Sequence, residues 1–344
     1  MRRAAPILIA LRAAVLLCAL LLSGVLAGPA AADQSAGHST TAPQSPTPPP
    51  KPVSATLKLY LGDAFALRGQ SVSVPGRVVH VAGIVRPYVP GQVVFVRAYL
   101  GGRLIEAGHF RVKPSSHRIY GAFTASIRSA GAGQVTVIVL HAPTTGMGRL
   151  SARRSYSVLG ENVGFGATGR FVQLIQQRLA ALHFYIPQSG VYDSGTGLAL
   201  DAYHRLLRWG TSQTLDSRTV SALLDGSGAF PVHYSGDGRH AEGDLTLQLL
   251  ALINGGKVLT IYPISSGKPS TPTILGRFHV YSKVPGYLPD GMFYSNFFTG
   301  GYAIHGYNPA PDYPASHGCM RLPIVDAISV FNWLQMGNAV DVYY

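Results

Sequence analysis

The sequence contains very little cysteine: Cys18 and Cys319 are its only two residues of this type. Cys18 lies in a segment that we expect export to remove, so the mature chain keeps one thiol and has no partner for an intramolecular disulfide. Exported cysteines usually pair, and an unpaired one therefore needs a chemical explanation. A thiolate is a strong nucleophile once a base or a positive field activates it. Because His305 and His317 stand close to Cys319 in the sequence, we treat Cys319 as a candidate nucleophile.

Long apolar runs are scarce as well, and the main one spans residues 13–25. Arginines precede this run and small residues follow it, a pattern typical of a secretory signal; they are Arg2, Arg3, Arg12 and Ala30 to Ala32. We expect residues 1–32 to be a signal peptide that is cleaved after Ala32. The run is short for a membrane-spanning helix, so an uncleaved membrane anchor is the alternative. The predicted localisation is the cell wall, on the periplasmic or extracellular face of a bacterial membrane.

Acidic residues are also few, with 15 Asp and Glu against 28 Lys and Arg and a formal net charge of +13. Loss of three arginines with the signal leaves the mature chain at about +10. A basic balance suits an anionic partner. Export argues against nucleic acid, so an anionic wall or membrane surface is the expected partner, and a role in solubility alone is the alternative.

The chain after the signal divides into a linker and three segments. Residues 33–52 are rich in Ser, Thr and Pro and predict an extended linker, because such a composition buries little apolar area. The remaining chain is too long for one ordinary core. Residues 53–158 show short alternating runs broken by Gly and Pro, including a run that ends at Gly101 and Gly102, and predict an immunoglobulin-like β-sandwich. A spacer or adhesion role is the default for this segment.

Residues 160–226 have apolar residues at helical spacing and predict a small three-helix module. Asp193 and Asp216 each precede an apolar run as helix-capping residues. The segment resembles the peptidoglycan-binding helical domain that is often fused to wall enzymes; the matching stretches are 166–169, 174–179, 189–193 and 219–223. It departs from that pattern at 182–184 and 209–210. Glycan binding is the implied role, and a spacer is the alternative.

Residues 240–344 return to strand-like patterns. The alternation over 245–249 predicts a strand, Asn254 and Gly255 predict a tight turn, and 258–264 predicts the returning strand. Further strands are expected at 278–281 and 340–344. One helix is expected from Pro323 to Gly337. Cys319 comes shortly before it, and we hypothesise that the positive helix end favours the thiolate.

Two other readings of this region use the same residue types. Zinc accepts His, Cys and Asp ligands, but the spacing of His305, Asp312, His317 and Cys319 matches no common zinc pattern. The stretch 265–268 has the S-x-x-K form of penicillin-binding enzymes, but it follows a strand and has no companion S-D-N or K-T-G sequence. A thiol and an imidazole supplied by separate elements remain the favoured arrangement, with His305 ahead of His317, which is only two residues from Cys319.

The region 242–344 resembles the catalytic domain of the YkuD-type L,D-transpeptidases. The resemblance rests on an Ile-His-Gly sequence at 304–306 followed by Ser-His-Gly-Cys at 316–319, with matching stretches at 262–268 and 271–276. The loop 306–315 is shorter than in many members of the family. Arg321 stands where Asn is frequent, which affects the expected acceptor preference and not the chemistry.

The resemblance implies catalytic roles for Cys319 as nucleophile, His305 as base, Gly306 through its carbonyl oxygen and Gly318 through the oxyanion hole. Ser316, His317 and Arg321 are the implied substrate-binding residues. The expected enzyme cross-links peptidoglycan stem peptides through a thioester and needs no metal or other cofactor. Its partners are stem peptides and glycan, without nucleic acid. The alternatives are an L,D-carboxypeptidase that uses water as acceptor, and a non-catalytic wall-binding protein.

Overall fold

The structure is a computed structural model that describes residues 54–144, 147–161 and 163–344. The predicted signal peptide (1–32) and linker (33–52) lie outside the described residues. Strands predominate in the described chain, so the prediction of a mainly β protein is confirmed. None of the helices described within residues 54–344 has the length and apolar character needed to cross a membrane.

Two sheets make up the first region. They comprise β1 (Thr56–Gly62), β2 (Phe65–Leu67), β3 (Gln70–Ser73), β4 (Val78–Arg86), β5 (Val93–Leu100), β6 (Arg103–Arg111), β7 (Lys113–Pro114), β8 (Gly121–Arg128), β9 (Gly133–His141) and β10 (Leu150–Val158). Their orders are β1-β4-β8-β7 and β2-β3-β10-β9-β5-β6. Alternate residues along the strands are buried, so each sheet turns one apolar face to a common core. The immunoglobulin-like assignment of this region stays a prediction.

Three helices follow: α1 (Arg170–Ala181), α2 (Ser194–Leu206) and α3 (Ser217–Asp225). The carboxylate of Asp193 accepts the N–H of Thr196 at 2.9 Å, and that of Asp216 accepts the N–H of Thr219 at 2.7 Å. Both predicted caps are therefore present, and they satisfy N–H groups that the first turn of a helix leaves free. Gly226 ends α3 with φ 71°, a conformation that glycine adopts without strain.

The helices do not have a core of their own. Their buried apolar residues form one cluster with residues of the strands on both sides. The first region contributes Val72 and Val74 to this cluster, and the last region contributes Leu249, Ala251 and Ile261. Residues 160–226 are thus packed against both neighbouring segments, and burial of this common surface holds the three segments together.

The last region contains two further sheets and one helix. Their elements are β11 (Arg239–Asp244), β12 (Leu249–Asn254), β13 (Lys257–Pro263), β14 (Gly276–His279), β15 (Ser282–Tyr287), β16 (Phe293–Thr299), β17 (Tyr302–Gly306), β18 (Met320–Leu322), α4 (Ile324–Trp333) and β19 (Ala339–Tyr343). The sheet orders are β13-β12-β11-β19-β14 and β15-β16-β17-β18. The predicted helix and the strands near 258–264, 278–281 and 340–344 are present, although α4 ends at Trp333 and β14 ends at His279. The predicted tight turn lies one residue later than expected, at Gly255 and Gly256, because Asn254 is the last residue of β12.

The strand predicted over 245–249 is wrong for residues 245–248, which form the turn between β11 and β12. The carboxylate of Asp244 accepts the N–H of Leu247 at 2.8 Å, and Gln248 has φ 54°, so the chain reverses here. Leu245 and Leu247 are nevertheless both buried. Leucines alternate with polar residues in this turn, and this alternation of residue types produced the same pattern that a strand would show.

Residues 183–185 add one more strand segment to the sheet that contains β13. The N–H of Ile261 in β13 donates to the carbonyl oxygen of His183 at 2.8 Å, and the N–H of Tyr185 donates to the carbonyl oxygen of Ile261 at 3.0 Å. Phe184 pairs with Ile261 in parallel. The segment after α1 is therefore joined to this sheet by backbone hydrogen bonds as well as by packing.

Arg205 of α2 makes the second polar link between the helices and the last region. Its side chain is buried and forms an ion pair with Asp201 one turn earlier. One guanidinium nitrogen donates to the carbonyl oxygens of Gln248 and Ile264, each at 3.1 Å. The ion pair and these two hydrogen bonds use Nη1 and Nη2 and hold the buried guanidinium in position, while its Nε has no partner among the described residues.

We predict that Arg205→Met destabilises the protein by about 3–5 kcal/mol, since it leaves the carboxylate of Asp201 buried without its partner and frees two carbonyl oxygens. Arg208→Met is the matched control, because Arg208 is exposed and its replacement should change stability by no more than about 0.5 kcal/mol. Urea unfolding of both variants measures the difference. Equal midpoints and slopes for the two variants would contradict this role of Arg205.

Candidate active site

The parallel pair β17–β18 places the predicted thiol and imidazole side by side. His305 of β17 is paired with Arg321 of β18, and Ile304 is paired with Met320. Cys319 immediately precedes Met320, at the entrance to β18. The pairing of two strands thus brings together the Ile-His-Gly and Ser-His-Gly-Cys sequences, which residues 307–315 separate in the chain.

Both side chains line one cavity of about 270 Å³, together with seven other residues: Asp290, Met292, Gly301, Tyr307, Ser316, His317 and Arg321. Five of the seven predicted site residues are therefore in its wall. The other two, Gly306 and Gly318, are adjacent to wall residues and act through their backbone. Asp290 and Met292 were missed by sequence reasoning, because nothing near them in the sequence marks them as neighbours of Cys319.

His305 is held as a neutral base. It is 2% exposed, and its Nδ1–H donates to the carbonyl oxygen of Gly306 at 2.9 Å, which leaves Nε2 with a free lone pair. Burial lowers the pKa of His305 to about 4, and the positive charge of Arg321 acts in the same direction, while the hydrogen bond to Gly306 opposes them. At neutral pH the imidazole is uncharged and ready to accept a proton.

Cys319 is a neutral thiol in this state. Burial raises its pKa, and the charge of Asp290 adds to the effect, whereas a backbone hydrogen bond from Ala303 and the charge of Arg321 oppose it. The Sγ–H group donates to the carbonyl oxygen of Gly301 at 3.6 Å. The direction is opposite to the lowered pKa that we expected from the N-terminus of α4. The helix begins only at Ile324, and burial outweighs its field.

The turn before Cys319 depends on Ser316 and Gly318. Ser316 Oγ donates to the carbonyl oxygen of Cys319 at 2.6 Å and accepts the N–H of Gly318 at 3.0 Å. Gly318 has φ 126°, and a Cβ atom there would lie 2.6 Å from the ring of Tyr302, so only glycine fits. The N–H of Gly318 is thus used by Ser316, whereas the N–H of Cys319 has no acceptor within the described part of the chain.

Gly306 allows helix α4 to approach β17. A Cβ atom at this position would lie 2.7 Å from Cβ of Ala327 and 3.3 Å from the side chain of Phe293. The carbonyl oxygen of Gly306 that holds His305 is therefore fixed by a closely packed helix.

A second layer of hydrogen bonds supports the turn. The carbonyl oxygen of Ser266 accepts the N–H groups of Ala315 and Ser316, both at 2.9 Å. Ser265 exchanges two backbone hydrogen bonds with Arg321, and its Oγ donates to the carbonyl oxygen of Tyr313 at 2.6 Å. Ser265 is fully buried with its hydroxyl used in this bond, so it is a structural residue here and does not face the cavity as a nucleophile.

The rim of the cavity carries cations. Lys268 Nζ lies 3.2 Å from Nε2 of the exposed His317. The guanidinium of Arg321 lies 4.0 Å from the centre of the Tyr307 ring. His317 therefore faces the entrance and Lys268, while His305 faces the interior. These cations suit a substrate with carboxylate groups.

The residues of the zinc alternative are not gathered at one point. Asp312 lies in a separate cavity, which also contains Asp201 and Arg205. Within the described residues, no group of three His, Cys, Asp or Glu side chains is placed to hold a metal ion.

Comparison with known proteins gives a family for this region. Residues 238–342 match the family model of the YkuD L,D-transpeptidase catalytic domain. No curated protein matches the chain. Among solved structures, an L,D-transpeptidase from Xylanimonas cellulosilytica (residues 123–326) is 29% identical over 54% of this chain and 99% of that chain, with a TM-score of 0.48.

Two further solved structures are similar over different shares of the chain. The catalytic domain of an E. faecium L,D-transpeptidase is 28% identical over 31% of this chain and 98% of that chain, with a TM-score of 0.28. An L,D-transpeptidase from Mycobacterium smegmatis is 13% identical over 84% of this chain and 100% of that chain, also with a TM-score of 0.28.

We predict a pH dependence of stability that comes from His305. Its pKa is about 4 in the folded protein and about 6.5 when unfolded, so the unfolded state binds more protons between these values. The free energy of unfolding should therefore fall as the pH drops from about 6.5 to about 4, by up to roughly 3 kcal/mol from this group.

Urea unfolding at a series of pH values from about 7 to about 4 measures this contribution. His305→Gln should lose it, and His317→Gln should keep the wild-type dependence because His317 is exposed. The same slope in His305→Gln as in the wild type would contradict the assignment of a neutral, buried imidazole.

Proposed function

We propose that the chain is an exported thiol enzyme that cross-links peptidoglycan stem peptides, and that its catalytic domain is the region 238–342, which matches the YkuD L,D-transpeptidase family model. The observation that carries this proposal is the pair of Cys319 and His305 in one cavity, both neutral, with His305 Nδ1 held by the carbonyl oxygen of Gly306. A nucleophile, a base with a free Nε2 and a group that orients the base are the parts that acyl transfer needs.

The proposed first step is attack by Cys319 Sγ on the carbonyl carbon of the donor stem. His305 Nε2 takes the thiol proton as the C–S bond forms, because the resting thiol is protonated and the imidazole is neutral. The C–N bond to the terminal D-alanine then breaks, and the proton on His305 passes to the departing amine. A thioester remains on Cys319, and it keeps the acyl group reactive without a nucleotide or metal.

In the second step the side-chain amine of an acceptor stem attacks the thioester. His305 takes a proton from the amine, the C–S bond breaks, and the proton returns to sulfur. Negative charge develops on the carbonyl oxygen in both steps. The N–H of Cys319 is the proposed principal donor to this oxygen, because the N–H of Gly318 is used by Ser316. Gly318 contributes mainly by allowing the turn at φ 126°.

The proposed substrate contacts are made by the rim. Arg321 and Lys268 provide positive charge for stem carboxylates, and His317 lies at the entrance beside Lys268. Ser316 holds the turn by its two hydrogen bonds and so keeps Cys319 in position. Export through the predicted signal peptide and action in the cell wall are parts of the same proposal.

Incubation of the purified protein with a disaccharide-tetrapeptide tests the proposal by mass spectrometry. The expected product is a cross-linked dimer with loss of one D-alanine. Trimmed tripeptide alone would show that water is the acceptor, making the enzyme an L,D-carboxypeptidase. No change of mass with the wild type would favour a non-catalytic wall-binding protein.

We predict that Cys319→Ala abolishes the acyl-enzyme and all product while keeping the wild-type unfolding midpoint. The reason is that Cys319 supplies the sulfur of the thioester, and its half-buried side chain contributes little to the core. Intact-protein mass after incubation with substrate, beside urea unfolding, checks both parts. Turnover by Cys319→Ala would exclude the thiol mechanism.

We also predict different effects for the two histidines. His305→Gln should lower turnover by about a hundred- to ten-thousand-fold, because the general base is lost. His317→Gln should raise KM and change kcat by less than about tenfold, since His317 faces the entrance and is not the proposed base. Steady-state kinetics on the same substrate separate the two. The reverse pattern would require the roles of His305 and His317 to be exchanged.

A further inference from the structure

The positive charge of the chain is concentrated in its first β region. Residues 54–158 contain 13 lysines and arginines against two acidic residues, a net charge of +11. Residues 159–344 contain 11 against 12, a net charge of −1. The catalytic and helical segments are therefore balanced, and almost the whole basic excess belongs to a region with no part in the proposed chemistry. Like charges at this density repel one another and lower the stability of the region.

Most of these cations have no carboxylate partner in the protein. Arg77, which is paired with Asp225 of α3 at 2.9 Å, is the one lysine or arginine of residues 54–158 with such a partner in the described chain. Eleven of the 13 are arginines, whose planar guanidinium groups suit phosphate and carboxylate anions. The charge is thus free to meet an external anion.

One sheet face combines these arginines with aromatic rings. Successive residues of a strand point to opposite faces. On β5, buried Val94 and Val96 point inward, so Phe95 and exposed Arg97 point outward. The guanidinium of Arg97 lies 4.6 Å from the centre of the Phe95 ring, and this ring stacks on His109 of β6 at 4.6 Å. Arg97 is therefore held in place without any acceptor for its side-chain N–H groups among the described residues.

Two more arginines extend this face in both directions. Arg153 of β10 shares a row of the sheet with Arg97, since both are paired with Ile138 of β9. Arg111 of β6 is paired with Val93, four residues from Arg97 along β5. With strands about 4.8 Å apart, each of these two positions lies roughly 10–15 Å from Arg97. We call the outward side of β10-β9-β5-β6 that carries Arg97, Arg111 and Arg153 the arginine face.

We propose that the arginine face binds a linear wall polymer whose backbone alternates phosphodiester groups with sugar or polyol units. The arginines would take the phosphates, and the exposed His109 ring, which stacks on Phe95, would take the C–H side of a sugar. Because Arg97 and His109 each lie 4.6 Å from the centre of the Phe95 ring, the anion and the sugar must be neighbours in the ligand. Such a polymer satisfies this requirement along its backbone, whereas the carboxylates of peptidoglycan stems are carried on peptides away from the glycan.

This partner is chosen over a lipid surface for a geometric reason. The opposite sheet also exposes cations on its outer side, with Lys58 and Arg86 lining a cavity of about 320 Å³. A flat membrane meets one side of a sandwich, but a flexible polymer reaches both. The choice of a wall polymer rests on the location proposed above, and the binding itself is independent of Cys319 chemistry.

Co-sedimentation of the full chain, carrying Cys319→Ala to prevent turnover, tests the proposal. The probes are sacculi that retain their phosphodiester polymer and the same sacculi stripped of it by hydrofluoric acid. The test variant combines Arg97→Gln, Arg111→Gln and Arg153→Gln. The matched control removes three exposed charges elsewhere, with Arg208→Gln, Arg218→Gln and Lys257→Gln.

The control should bind untreated sacculi as the parent does, and the test variant should bind about tenfold more weakly. A plot of log Kd against log salt should be shallower by about 2 in the test variant, since its anion contacts are lost. Stripped sacculi should reduce the parent to the level of the test variant. The unfolding midpoint of the test variant should be no lower than those of the parent and the control, since the variant only relieves repulsion between exposed charges.

Equal binding of the test variant and the control would overturn the proposal. Undiminished binding of the parent to stripped sacculi would overturn it as well and would point to stem carboxylates. Tighter binding to phosphatidylglycerol vesicles than to untreated sacculi would replace the polymer with a membrane. Failure of the proposed transpeptidation would leave these results unchanged, because every protein in the experiment lacks the thiol.

Discussion

The buried guanidinium of Arg205 is the constraint on which the site depends. It reaches from α2 to the carbonyl oxygens of Gln248 and Ile264. Both residues are connected to the turn before Cys319, Gln248 by hydrogen bonds to Ser266 and Ile264 through its sequence neighbour Ser265. The side chain of Gln248 exchanges hydrogen bonds with Ser266, through a donor at 2.7 Å and an acceptor at 2.9 Å. Ser266 in turn accepts the N–H of Ser316. A helix outside the catalytic region thus fixes the turn that presents the thiol, through contacts that are buried and mutually supportive.

Burial explains the electrostatic character of the site. Burial raises the pKa of Cys319 and lowers that of His305, and both shifts keep the group in its uncharged form. A neutral thiol is a poorer nucleophile and is also less open to oxidation than a thiolate. In the proposed mechanism, Cys319 is therefore activated only when a substrate carbonyl approaches and proton transfer to His305 accompanies attack. For the exported enzyme proposed above, a thiol kept in this form has greater resistance to oxidation.

The features that depend on a few neighbouring residues could be predicted from the sequence, and those that depend on contacts between distant segments could not. Cys319 and His305 were found because each lies in a short, specific sequence, and the cap at Asp193 because capping needs only neighbours. Asp290 and the shared core of the helices depend on contacts between distant segments, which no local pattern records. The turn at 245–248 was misassigned because leucine and polar residues alternate in its sequence, as they would in a strand with one buried face. The raised pKa of the thiol depends on burial, which a sequence does not specify.

The pairing of residues 183–185 with β13 bears on how the catalytic region behaves as a fragment. β13 is the outermost named strand of its sheet, and the segment after α1 covers its free side at Ile261. A fragment that begins at Arg239 would leave that strand edge unpaired and would uncover the apolar residues that pack under the helices, Leu249 and Ala251 among them. Exposed edges next to apolar surface recruit strands from other copies. The helical segment therefore protects this sheet from self-association.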